Sequence, residues 1–101
     1  MKYSYINKFI AQTGKRGELM GILLQAARAL EANPECTQYL IGTTGEPEVL
    51  YVTEIWASKE AHAAALEPAE VKAVIARAMP LIASVTNVAE LQIEGGKEGA
   101  N

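Results

Sequence analysis

The order of hydrophobic and polar positions divides the chain into strand and helix segments separated by turn chemistry. Residues 3–12 mix aromatic, β-branched and polar side chains in the manner of a strand. Thr13-Gly14-Lys15-Arg16-Gly17 breaks that pattern. Over residues 15–32, Leu19, Leu23, Ala26, Ala27 and Leu30 recur at helical spacing and predict one apolar face. Asn33-Pro34 ends this helix, because Pro pushes the residue before it out of helical geometry. Residues 36–42 read as a short strand, and Thr43-Thr44-Gly45-Glu46-Pro47 as a turn. Val49 to Trp56 is apolar or aromatic at nearly every position, as a central strand covered on both faces should be. Ser58 is a good N-cap for a short Ala-rich helix over residues 59–66. Pro68 opens a second helical segment whose apolar face is Val71, Val74, Ile75 and Ala78, and Pro80 ends it. Residues 84–93 form the last strand, with Val85, Asn87, Ala89, Leu91 and Ile93 on one parity and Glu90 and Gln92 on the other.

The predicted order is β-α-β-β-α-β with the second helix broken in two. This is the split β-α-β, ferredoxin-like α+β plan: an antiparallel four-stranded sheet with helices on one face. One domain over residues 1–94 is expected, with residues 95–101 as a flexible C-terminal tail. Helices on one face leave the other bare, yet Leu50 and Val52 on one parity and Tyr51 and Ile55 on the other make both faces of the third strand apolar. A bare apolar sheet is unusual for a soluble monomer. Pairing two sheets across a two-fold axis would bury it, so the expected assembly is a homodimer closing into a dimeric α+β barrel.

Composition narrows the function classes. With 50% hydrophobic and 21% charged residues the chain is globular in character. A net charge of −3, with scattered Lys and Arg, predicts no nucleic-acid partner. A single Cys and a single His exclude a disulfide framework and a Cys- or His-rich metal centre. No secretory leader and no membrane-spanning apolar run is present, so the expected location is cytoplasmic, away from membranes.

The only Trp and the only His, Trp56 and His62, lie six residues apart across the third-strand-to-helix junction, where they could converge on one pocket. Asn7 is a polar residue inside an apolar strand, so its amide is tied to backbone or aimed into a cavity. Glu54 either orients His62 or pairs with Lys8 across strands. His62 and Leu66 are four apart and share a helix face. Gly14-Lys15-Arg16-Gly17 lacks the full phosphate-loop pattern and reads as a solvated turn. Small side chains at Ala61, Ala63, Ala64 and Ala65 leave room beside the sheet for a flat ligand, or simply favour helix.

Several stretches, taken in this order, carry a family resemblance: Gly14-Lys15-Arg16-Gly17-Glu18-Leu19, Asn33-Pro34-Glu35-Cys36-Thr37-Gln38-Tyr39, Thr53-Glu54-Ile55-Trp56-Ala57-Ser58-Lys59-Glu60-Ala61-His62 and Met79-Pro80-Leu81-Ile82. Over residues 3–93 the chain resembles the antibiotic biosynthesis monooxygenase (ABM) family of dimeric α+β barrels. The family includes cofactor-free quinol and anthrone monooxygenases, haem-degrading enzymes and members with no known activity. Asn7 stands where the haem-degrading members carry an Asn, but their helical Trp and His positions fall near Ala65 and Ile75, which disfavours haem degradation. The resemblance implies a monooxygenase that uses molecular oxygen, needs no cofactor, and acts on a polycyclic phenol, anthrone or quinol. Without flavin or metal, the substrate itself must supply the electrons once deprotonated. Under that reading His62 is the candidate base, with Asn7 and Trp56 as candidate donors to the developing anion. Phe9, Tyr39, Tyr51, Glu54 and Leu66 are the candidate substrate-binding residues. The alternative is a non-catalytic barrel that binds a small aromatic ligand or serves as an interaction module, since fold alone does not decide function.

Overall fold

A computed structural model describes residues 2–97. Its elements are β1 (Tyr3–Ala11), α1 (Arg16–Leu30), β2 (Cys36–Thr43), β3 (Val49–Trp56), α2 (Lys59–Ala64), α3 (Ala69–Ala78), a 3-10 turn (Met79–Leu81) and β4 (Ile82–Gln92). The strands form one antiparallel sheet in the order β2-β3-β1-β4, so the first and third strands lie at its centre. This is the expected ferredoxin-like α+β plan. Of the expected tail, residues 95–97 carry no regular structure and residues 98–101 lie outside the described residues.

Local chemistry explains most element boundaries. Gly14 takes a φ of 76°, the left-handed value that lets the chain reverse from β1 into α1. The Oγ of Ser58 accepts from the Ala61 N–H at 3.0 Å and caps α2. Pro68 has no N–H to give the Ala64 carbonyl, so the helix breaks there and α2 stops at Ala64. Leu66 therefore sits in the connecting turn, not on the helix of His62, and is 43% exposed.

Strand β3 alternates as its position requires. Leu50, Val52, Glu54 and Trp56 point to the helix-covered face and are buried. Across the ladder they meet Phe9, Asn7, Tyr5 and Tyr3 of β1, and Thr43, Ile41, Tyr39 and Cys36 of β2. Leu19 and Leu23 of α1 close over Leu50 and Val52, joined by Ala11, Ala78 and Leu81, to make the apolar core. Each fully buried Leu or Val there stabilises the fold by about 1.5–3 kcal/mol. Toward the Trp56 end of the same face, the apolar filling gives way to ionisable and aromatic groups. Val71, Val74 and Ala78 of α3 turn inward as expected, but Ile75, at the edge of that stripe, is exposed.

Two irregularities change which residues share a face. In β4, Ala89 pairs with Ile6 and Asn87 with Asn7, so Val88 is an extra, unpaired residue. Strict alternation had put Val85, Asn87, Ala89 and Leu91 together. With the bulge, Val85, Asn87, Glu90 and Gln92 align with the helix-side residues of β1, while Ala89 and Leu91 face the other way. In β2 the skipped residue is Thr37, which brings Cys36 onto the same face as Tyr39. The opposite face of the sheet carries Ile6, Lys8, Ile10, Leu40, Tyr51, Ile55 and Leu91. On it Leu40 and Leu91 are exposed.

Candidate functional site

The Ser58 cap fixes where α2 begins, and one turn later His62 meets the sheet. Its imidazole stands 4.7 Å from the Tyr5 ring, 5.8 Å from Tyr3 and 5.5 Å, edge-on, from Trp56, measured between ring centroids. Glu54 and Trp56, two apart on β3, point the same way, and the indole Nε1 donates to Glu54 Oε1 at 2.9 Å. His62 Nε2 lies 3.6 Å from that same oxygen, with both side chains largely buried. This exceeds a formed hydrogen bond, but such contacts commonly tighten when a ligand binds. With Nε2 toward Glu54, Nδ1 makes no hydrogen bond among the described residues.

Burial dominates the electrostatics. It pulls the His62 imidazole below its ordinary value, opposed by the negative charge of Glu90. It pushes the Glu54 carboxyl above its ordinary value, opposed by the Trp56 N–H. Both groups therefore shift toward their neutral forms. Burial, then the nearby Glu54 charge, raises the Tyr39 phenol and takes the Cys36 thiol up to about 11. At the rim, Tyr3 Oη donates to Glu90 Oε1 at 2.6 Å, and Lys59 Nζ stands 3.5 Å from the same oxygen. The Tyr3 hydrogen bond, with Lys59 beside it, holds Glu90 low. Outside this rim lies an open depression of about 420 Å³, lined by Lys2, Tyr3, Ser58, Lys59, Glu60 and Gln92.

One strand step beyond Tyr5, Asn7 is half-buried and faces Asn87 across the β1–β4 ladder. Asn87 Nδ2 donates to Asn7 Oδ1 at 3.1 Å, and lies 3.3 Å from the Ile6 carbonyl and 3.4 Å from that of Ala89. Helix α3 packs chiefly on α1 and the Met79–Leu81 turn, so Val85 and Asn87 remain exposed beside Phe9 and Asn7.

The structure thus gathers His62, Trp56, Asn7, Phe9, Tyr39 and Glu54 on one face of the sheet. It does not bring Tyr51, which points to the opposite face, nor Leu66, which sits in the exposed turn. Lys8 pairs in register with Tyr51, so of the two sequence alternatives Glu54 takes the His62 one. Trp56 is 2% exposed and its N–H is committed to Glu54, so its place is to hold Glu54 and not to donate to a ligand. Sequence reasoning passed over Tyr3, Tyr5, Glu90 and Asn87 as site residues. Tyr3 and Tyr5 share the parity of Asn7 and were recoverable from alternation; Glu90 and Asn87 were not, because the Val88 bulge sets their facing.

Among the described residues, no group of three or more His, Cys, Asp or Glu could hold a metal ion. No described helix is long and apolar enough to cross a membrane.

The family model for antibiotic biosynthesis monooxygenases matches residues 3–77. The chain belongs to this family. A candidate ABM protein from Chloroflexus aurantiacus J-10-fl is 31% identical, with a TM-score of 0.82 and coverage of 98% of both chains. A second, from Caulobacter crescentus CB15, is 25% identical with a TM-score of 0.82, covering 92% of this chain and 91% of its own. SnoaB, a cofactor-independent oxygenase from Streptomyces nogalater, shares the ABM fold at a TM-score of 0.80. It is 11% identical, with 94% of this chain and 95% of SnoaB covered, so that likeness speaks to fold alone. No curated protein matches the sequence.

Proposed function

We propose that this ABM-family chain is a homodimeric, cytoplasmic monooxygenase that oxidises a polycyclic phenol, anthrone or quinol with molecular oxygen and no added cofactor. The observation that carries the reading is His62 beside Glu54, both side chains largely buried, on the sheet face that also presents Asn7. For an anthrone, His62 Nδ1 takes a proton to leave the anion. The anion passes one electron to oxygen, and the two radicals combine to a peroxide. Loss of water then leaves a carbonyl: one CH₂ and one O₂ become one C=O and one H₂O. Against a phenolic proton of pKa about 10, an ordinary His falls roughly 5 kcal/mol short. Burial of His62 widens that gap. Two groups offset it: Asn7 donating to the new oxyanion, and Glu54 holding the new imidazolium.

Phe9 and Tyr39 supply apolar wall beside these polar groups, as a flat aromatic ligand requires. The apolar open face of the sheet, with Leu40 and Leu91 exposed, supports pairing of two copies there. Oxygen uptake against a panel of quinols and anthrones tests the reading. His62→Ala should slow uptake by about 10²-fold or more. Saturable ligand binding without uptake would instead make the protein a binding module.

A further inference from the structure

We infer that Asn87 is a positioning residue for the site: it locks the Asn7 amide with its N–H₂ end outward. The two ends of a carboxamide are distinguished by their hydrogen-bond partners. The Asn87 side-chain end turned toward β1 faces two main-chain carbonyls, Ile6 at 3.3 Å and Ala89 at 3.4 Å. Carbonyls only accept, so that end must be Nδ2. The Asn7 atom 3.1 Å from it must then be the acceptor Oδ1. Asn7 Nδ2 is consequently the end left over, and among the described residues nothing accepts from it. The bulge in β4 and the two carbonyls it brings together therefore determine that Asn7 offers a donor and not an acceptor.

The Val88 bulge makes this possible. Were the β1–β4 ladder regular beyond Ala89, residue 88 would oppose Asn7 and Asn87 would point to the other face. The bulge places Asn87 opposite Asn7 and brings the Ile6 and Ala89 carbonyls within reach of one amide. Asn87 also keeps its Oδ1 free of partners among the described residues, beside exposed Val85. This inference rests on the proposed function only where it gives the Asn7 donor a developing oxyanion; the amide orientation stands without it.

The test reads orientation and catalysis separately. In side-chain amide NMR of the intact protein, Asn87 Nδ2 protons should exchange slowly with water and Asn7 Nδ2 protons quickly. The reverse order overturns the inference. In oxygen-uptake kinetics, Asn87→Ala releases the Asn7 amide to rotate and should lower kcat roughly tenfold with little change in KM. Asn87→Asp presents only acceptors, so Asn7 must turn its N–H₂ inward and offer Oδ1 to the oxyanion. It should lower kcat by about 10²-fold or more while folding as well as Asn87→Ala. Equal losses in both variants, tracking their melting temperatures, would make Asn87 merely structural and overturn the inference. Absence of uptake in the wild type with the expected NMR pattern would remove the monooxygenase reading and leave the orientation intact.

Discussion

Replacing Glu54 by Gln separates the electrostatic role of this side chain from its shape. Glu54 Oε1 stands 3.6 Å from His62 Nε2. Two unit charges at that distance attract by about 5 kcal/mol at an effective dielectric of 20, and by about 1 kcal/mol in water. The side chain is largely buried yet near the open end of the sheet, so about 2–3 kcal/mol is a fair working value. That is the stabilisation lost by an imidazolium formed in the transition state, or roughly 10²-fold in rate. Glu54→Gln should therefore lower kcat about 10²-fold at pH 8, with KM little changed. Thermal melting, followed alongside oxygen uptake, should not fall, because a largely buried carboxylate is replaced by an isosteric neutral group that is cheaper to bury. Unchanged kcat in a folded variant would refute the reasoning, since Glu54 would then carry no charge that His62 feels. A loss matched by unfolding would refute it equally.

Stability should respond to pH through the same pair. His62 is depressed, so below its ordinary value of 6.5 the unfolded chain binds the proton that the folded chain refuses, and stability falls as pH drops through that window. Glu54 is raised, so above 4.5 the folded chain keeps a proton that the unfolded chain releases, and stability falls as pH rises through that window. Melting temperatures from pH 4 to 8 should show the acid-side loss reduced in His62→Gln and the opposite trend reduced in Glu54→Gln. Trp56→Phe removes a donor from a buried carboxyl and leaves a void, and should cost about 2–4 kcal/mol in urea unfolding. Leu40→Lys on the open sheet face should raise the dimer dissociation constant at least about tenfold in sedimentation, because each two-fold interface contains the change twice. The same variant should leave the monomer fold intact, and an unshifted constant would place the interface elsewhere.

Much of this architecture could be read from local chemistry. Ser58 as a cap, Pro68 as a break, the largely apolar run of β3 and the helical stripe of Leu19 and Leu23 act over a few residues, so sequence alone placed the four strands and three helices, though not the Met79–Leu81 turn. The alternation of β3 likewise foretold that Glu54 and Trp56 share a face, and the short span from Trp56 to His62 kept all three together. Other features depend on the ladder between distant strands. Whether Tyr51 or Tyr39 turns toward the helices follows from which face α1 covers, and their parity alone cannot say. The extra residues Thr37 and Val88 shift register only because β2 and β4 must match the pleat of their partners. That shift, invisible to alternation, carries Asn87 across the sheet to Asn7. Likewise Trp56 looked like a free donor until the buried carboxyl of Glu54 took its N–H. Sequence determined which groups were present and on which elements they stood. The tertiary structure decided which of their polar atoms were already satisfied and which were left to meet a ligand, because a buried hydrogen bond is made between residues that the chain brings together only on folding.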